Sequence, residues 1–82
     1  MSDYPIRYLL DQAAIYEIQV QGLLSEQWRS YFDSFAIEVE GEDGWARTTL
    51  TGLLVDQAAL QGVLQQLYSL GMVLLRIERK ED

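Results

Sequence analysis

The stretch "TGLLVDQAALQGVL", residues 51–64, holds the most regular pattern in the chain and decides the predicted fold. It opens on Gly52-Leu53-Leu54 and continues into an acid–glutamine pair, Asp56-Gln57. A partial copy, "QGLLSEQW", begins thirty residues earlier at Gln21. We interpret both as corners where a central strand ends and a helix begins, so the repeat predicts a fold of two similar halves. Glycine's backbone freedom explains such corners without a ligand.

The long helix that follows the second corner has clear ends. Asp56 is placed to accept hydrogen bonds from the first turn as an N-cap, and Gly71 is placed to end the helix with a positive φ. The helix is predicted from Gln57 to about Leu70. Apolar residues at helical spacing form its predicted buried stripe: Leu60, Val63, Leu64, Leu67 and Leu70.

Two segments alternate between apolar and polar residues, which is typical of strands with one buried face. In Ile15–Gly22, the inward residues are Tyr16, Ile18 and Val20. In the last strand, "MVLLRIER", we expect Val73, Leu75 and Ile77 inward and Leu74, Arg76 and Glu78 outward. Four apolar residues in a row predict that more than half of this last strand is covered.

Between them, "FAIEVEGEDGWARTTLTG" reads as a hairpin with Asp43-Gly44 as its two-residue turn. The register from that turn sets apolar against apolar and Glu against Arg. The expected pairs are Ile37 with Leu50, Val39 with Thr48, and Glu40 with Arg47.

A shorter helix, of about residues 26–33, is predicted after the first corner. Ser25 is its N-cap candidate. Aromatic residues at helical spacing are expected to be buried on one side: Trp28, Tyr31, Phe32 and Phe35.

The element order is strand, helix, strand, strand, helix, strand, which is the ferredoxin-like βαββαβ arrangement of the α+β class. It predicts a four-stranded antiparallel sheet with both helices on one face, the first strand and the strand at Trp45–Thr51 being central. The domain is expected over residues 15–79, with 80–82 as a solvated tail. Residues 1–14 fit either a short amphipathic helix or an alternating strand, and we favour a helical arm.

Composition limits the function. The 82 residues carry thirteen acids and six bases, for a net charge of −7, which disfavours binding to nucleic acid or to an anionic membrane surface. The chain has no histidine and no cysteine, so the commonest general base and transition-metal ligand is missing. No apolar run reaches the roughly 18 residues that span a bilayer, and the N-terminus does not resemble a signal peptide. We therefore predict a cytoplasmic protein.

Acidic clusters have ordinary structural explanations. Glu38, Glu40, Glu42 and Asp43 do not follow a calcium-loop spacing, and charge on an edge strand prevents unwanted pairing. Asp33 lies on a different corner from Asp56. No hydroxyl has a nearby base in sequence. We predict no enzyme activity, no metal and no cofactor.

The long helix is the candidate interaction surface. No charged residue except Asp56 at its start occurs from there through Leu75, in a chain that is otherwise acidic, and interface cores are depleted in charge. A glycine at position 62 destabilises the helix by about 1 kcal/mol relative to Ala, so its presence needs a compensating reason. Close packing of helices inside the domain is the interpretation we favour, and close approach of a second chain is the alternative. The candidate residues are Gln57, Gln61, Gly62, Gln65, Tyr68 and Ser69. We predict a self-associating, homo-oligomeric protein–protein interaction module.

Residues 16–79 resemble a group of small uncharacterised bacterial proteins. The resemblance is carried by Val20-x-Gly22, Trp28, Phe32, Thr49-Leu-x-Gly52 and, most specifically, Val55-Asp-Gln-Ala-Ala-Leu60-x-Gly62-x-Leu64 with Leu70-Gly71. It implies a common small fold and no particular activity.

Gly-Leu-Leu after the first strand is also similar to ACT domains, which bind small effectors such as amino acids at dimer interfaces. Val20-Gln21 stand where those domains usually have Asp and Pro. The alternative function implied is a small-molecule sensor with its ligand, an amino acid or a nucleotide, at the Gly22 and Gly52 corners.

Overall fold

A computed structural model describes residues 12–42 and 45–80. Its elements follow the predicted order: β1 Ala14–Gln21, α1 Glu26–Tyr31, β2 Ala36–Glu40, β3 Arg47–Leu54, α2 Gln57–Ser69 and β4 Val73–Lys80. The predicted arm over residues 1–14 lies outside the described residues except for its last three, of which Ala14 already begins β1.

The four strands form one antiparallel sheet in the order β2-β3-β1-β4. β1 and β3 are the central strands, as predicted. The core on one face of the sheet includes Leu67 of α2 and Phe32, which directly follows α1, and the half-buried Trp28 of α1 packs against it. The α+β class is confirmed, and the arrangement is broadly compatible with the ferredoxin-like fold.

The hairpin register is also confirmed. Ile37 lies opposite Leu50, and Glu40 lies opposite Arg47, where the two side chains form an ion pair of 3.6 Å. The Asp43-Gly44 turn itself lies outside the described residues. Beside it, the Trp45 amide donates to the Glu42 carbonyl at 3.0 Å.

A row of aliphatic residues crosses the whole sheet. Ile18 of β1 lies opposite Leu50 of β3 on one side and Ile77 of β4 on the other, and Leu50 lies opposite Ile37 of β2. Ile18 and Leu50 are completely buried. Because partners on neighbouring strands share a face, this row holds all four strands against the helices.

Helix α2 has the predicted ends. Asp56 accepts from the Ala59 amide at 2.8 Å, and Gly71 has a φ of +81° beyond the last turn. Leu60 and Leu67 are buried in the core, and the other residues of the predicted stripe are half-buried.

Helix α1 is shorter than predicted and differs in two details. The side chain of Ser25 makes no capping hydrogen bond, and its carbonyl instead accepts from the Trp28 and Arg29 amides. Tyr31 is 61% exposed, whereas Phe32 is buried. A short helix buries a narrow stripe, so Tyr31 remains in solvent and contacts the edges of the Trp28 and Phe32 rings.

The two Gly-Leu-Leu segments do not occupy equivalent corners of the backbone. Gly22 follows β1 with a φ of +125°, as expected of a strand exit. Gly52 instead lies inside β3, opposite Tyr16, because β3 continues to Leu54. There the Phe35 ring lies where a side chain would be, 2.7 Å from the position of a Cβ.

The leucines of the repeat are nevertheless equivalent in burial. Leu24 and Leu54 are both buried, and Leu23 and Leu53 are both more than half exposed. The repeat therefore reflects matching core contacts in the two halves, with one glycine needed for conformation and the other for space.

The predicted facing of β4 is wrong at its beginning. Leu74 lies opposite the buried Val20, so it faces the core, while Val73 lies opposite Gln21 on the outer face. The register shifts between these pairs and Gln19–Arg76, leaving Leu75 as the extra residue of a bulge. Ile77, Arg76 and Glu78 face as predicted. The strand also takes in Lys80, which was expected in the tail.

Substituting Gly52 with Ala is expected to destabilise the fold by about 1–3 kcal/mol, since the added methyl overpacks against Phe35. Gly62→Ala is the matched control. No heavy atom lies within 4 Å of its Cβ position, so the better helix propensity of Ala is expected to stabilise by up to about 1 kcal/mol. Urea unfolding of both variants measures the difference, and a Gly52 variant as stable as the wild type would contradict the role given to Phe35.

Candidate interaction surface

The structure places most of the predicted interaction residues together on one exposed face of α2. These are Gln61, Gly62, Gln65, Tyr68 and Ser69. Tyr68 is 76% exposed, and the Ser69 hydroxyl donates to the Gln65 carbonyl of its own helix at 3.0 Å. Uncharged residues thus cover this face over about two and a half turns.

Gln57 does not belong to that face. It is half-buried, and its amide donates to the Tyr16 hydroxyl at 3.0 Å. Tyr16 itself is buried in the core of β1. Gln57 therefore satisfies a core phenol and ties the first turn of α2 to the sheet.

Close packing against the described residues does not explain Gly62. Apart from the backbone of its own helix, no heavy atom of residues 12–42 and 45–80 would lie within 4 Å of a Cβ at this position. Gly62 instead borders a shallow depression of about 310 Å³ between the helices, lined also by Tyr31, Phe35 and Val63. The described residues give no internal reason for a glycine here.

An apolar groove lies on the flank of α2 that faces β4. It encloses about 230 Å³ between the helix, the turn that follows and the sheet, and its lining is Val20, Leu64, Leu67, Tyr68, Met72 and Leu74. Sequence reasoning missed this groove because it placed Leu74 on the opposite face. The sequence "VLLRI", residues 73–77, contains no glycine or proline that would mark a bulge.

Strand β4 is far more exposed than predicted. It is an edge strand, and four aliphatic side chains keep between 37% and 57% of their surface in contact with solvent: Val73, Leu74, Leu75 and Ile77. Among the described residues, nothing pairs with the outer side of this strand. The exposed strand and the groove adjoin each other at Leu74.

Four charged side chains form a closed ion network on the outer face of β1 and β4. Glu17 lies directly opposite Glu78, a pairing of like charges that is unfavourable by itself. Arg76 contacts both acids at 3.3 and 3.1 Å, and Lys80 contacts both at 3.0 and 3.7 Å. The two bases thereby neutralise the two acids and fix the register of the β4 edge.

This network changes the acidity of two of its members. The hydrogen bond and positive charge of Lys80, with Arg76 adding to them, hold the pKa of Glu17 below its usual value of 4.5 even though partial burial opposes the shift. The pKa of Lys80 is raised above 10.5, first by its hydrogen bond to Glu17. Both directions favour the charged pair.

At the Gly22 corner, which was predicted for an effector, the backbone groups of the glycine bond to the protein itself. The Gly22 amide donates to the Ala46 carbonyl at 2.9 Å, and its carbonyl accepts from the buried Thr48 hydroxyl at 2.6 Å. Met72 lies over the same glycine. The Gly22 corner thus uses its backbone polar groups internally.

Over residues 12–42 and 45–80, no three acidic side chains converge where they could hold a metal ion. No helix in the described part of the chain has the length and apolar character needed to cross a bilayer.

Comparison with known proteins identifies the family. Residues 15–78 match the model of the family described as Domain of unknown function (DUF8691). The match covers most of the chain, so the chain belongs to this family. No curated protein and no solved structure matches it.

The Glu17 network is expected to make stability depend on pH in the acid range. Because the folded-state pKa of Glu17 is lowered, its contribution is present above the usual carboxyl pKa and is lost as the pH falls through the lowered value. Glu17→Gln should therefore flatten the decline in unfolding free energy between about pH 5 and pH 3. Glu38→Gln removes the same charge at the far edge and should keep the wild-type slope, which urea unfolding at several pH values can measure.

Proposed function

We propose that this member of the DUF8691 family is a non-enzymatic protein–protein interaction module that associates with a second copy of itself. One observation carries the proposal: the exposed face of α2, the apolar groove and the β4 edge adjoin one another. Together they join an uncharged helix face to exposed aliphatic side chains. A domain that exposes such a surface has a site for a partner.

The charge distribution supports self-association through this surface. Each chain has a net charge of −7, so two copies repel each other unless they meet where charge is absent or balanced. The face of α2 contains no charged residue. The Glu17 network balances Arg76, Glu78 and Lys80 of β4, and Arg79 adds one positive charge and donates a hydrogen bond to the Gln12 side chain. Contact here brings two acidic chains together with the least repulsion.

The open face of the sheet supports a protein partner over a nucleic acid. The outward-facing positions of the central strands hold Glu17, Gln19 and Gln21 on β1, and Arg47, Thr49 and Thr51 on β3. RNA-binding domains with a similar sheet use aromatic side chains there to stack on bases. No aromatic residue stands at these six positions.

A sensor for a small effector is the alternative, motivated by the Gly-Leu-Leu resemblance. The internal hydrogen bonds of Gly22 and the Phe35 ring over Gly52 favour the interaction module instead. A thermal-shift screen with amino acids and nucleotides separates the two, because a ligand that binds only the folded state raises the melting temperature.

The cytoplasmic location of the protein remains a prediction. The resemblance to a group of bacterial proteins that share the Val55–Leu64 motif remains a prediction as well.

Tyr68→Glu is expected to weaken self-association by about tenfold or more, because it places a desolvated charge in the centre of the proposed surface. Sedimentation velocity over a range of concentrations measures the change, and circular dichroism verifies folding. Trp45→Glu is the matched control, since Trp45 is an even more exposed aromatic residue, at 83%, in the connection between β2 and β3 and not on α2 or β4. A wild-type protein that remains monomeric at the highest concentration would overturn the proposal.

A further inference from the structure

We infer that two copies pair along their β4 edges, antiparallel, about a two-fold axis at Ile77. The two four-stranded sheets would then join into one sheet of eight strands. This inference rests on the proposed self-association and specifies its geometry, including which residues of the two chains lie opposite each other. Three features of the described residues lead to it.

The first feature is the difference between the two edges of the sheet. The β2 edge carries Glu38 and Glu40 on its outer face, both exposed. Antiparallel pairing of two β2 strands over their full length sets Glu38 against Glu38 of the second copy, and a shift to an axis at Val39 sets Glu38 against Glu40. Like charges directly opposite each other destabilise a sheet, so both of these registers are unfavourable for β2.

The second feature is the charge order of β4. Arg76 and Glu78 lie on the same outer face, two residues apart. An axis at Ile77 sets Arg76 of each copy opposite Glu78 of the other, which makes two attractive pairs. An axis at Arg76 or at Glu78 would set like charges against each other. The edge is therefore complementary to itself in the register about Ile77.

The third feature is the aliphatic row through the core. It ends at Ile77, which keeps 37% of its surface exposed at the β4 edge of the sheet. Pairing about this residue sets Ile77 against Ile77 of the second copy. The row then continues without interruption from the core of one chain to the core of the other.

The bulge at Leu75 ends the regular part of the strand, so the ladder between the two copies is short. The apolar groove adjoins the same edge, with Leu74 on its wall and the exposed Tyr68 above it. The three regular residue pairs about Ile77 bury little apolar surface by themselves. Contact between the two copies at the groove buries more. The same geometry thus explains why the helix flank and the strand edge are exposed together.

Exchange of charges tests the register. Arg76→Glu and Glu78→Arg are each expected to weaken self-association by about tenfold or more, because each sets like charges opposite each other twice. An equal mixture of the two variants is expected to form a heterodimer. In that complex, residue 76 of each chain again meets an opposite charge at residue 78 of the other.

The mixture serves as its own control, since it contains the same chains that fail alone. Melting curves by circular dichroism verify that each variant is folded. If the wild type associates but neither variant changes its association constant, or if the mixture stays monomeric, the register is wrong and self-association stands. If the wild type is monomeric throughout, both the inference and the proposed function fail.

A single cysteine provides a direct measurement of the axis, because the chain has none of its own. Ile77→Cys is expected to form an intermolecular disulfide under mild oxidation, since residues directly opposite lie about 4.5–5.5 Å apart between Cα atoms. Leu75→Cys is the matched control on the same strand and is slightly more exposed, at 43% against 37%. In this register the two copies of residue 75 are about 13 Å apart, beyond the reach of a disulfide. Equal cross-linking of both variants would overturn the inference.

Discussion

Side chains that lie opposite each other on neighbouring strands must share a face of the sheet. In this sheet the constraint places four aliphatic residues in one row on the core face: Ile37, Leu50, Ile18 and Ile77. A slip of one residue in any pairing would move that strand's apolar set to the outer face. Helix α2 covers the row through Leu60 and Leu67, and Phe32, directly after α1, joins the same core. The positions of both helices therefore depend on the register of the strands beneath them.

The row is unequal along its length. Its two central members are completely buried, whereas Ile77 is partly open. A chain of this size buries only about 60% of the surface of its unfolded form, and two helices of unequal length do not cover four strands evenly. The uncovered apolar surface is concentrated at β4, where a groove remains between the strand and α2. The exposed surface thus results from how far one short domain can cover its own sheet.

Local rules predicted the parts of the fold that depend on local chemistry. The Asp43-Gly44 dipeptide and the alternation beside it were enough for the hairpin register, and Asp56 and Gly71 marked both ends of α2. The exposed helix face was also readable from the absence of charge. These features depend on residues close together in sequence.

The errors arose where the deciding contact is distant in sequence. The bulge at Leu75 depends on how β4 fits against β1, and no glycine or proline marks it. Gly52 was assigned to a corner because its neighbours resemble those of Gly22, although the Phe35 ring determines its role. The groove depends on the facing of Leu74, so it was missed together with the bulge.

The bulge has a consequence for misassembly. Flat, regular edge strands act as templates on which further chains can stack into fibrils, and a bulge twists the strand and interrupts its hydrogen-bonding ladder. In this chain the apolar part of β4, Val73 to Leu75, is the part that the bulge distorts. The regular part beyond it carries alternating charges. The stretch of β4 most prone to template amyloid growth is therefore the one that is bent. The bend disfavours fibril growth on this exposed aliphatic edge, even in a small domain with a low stability margin.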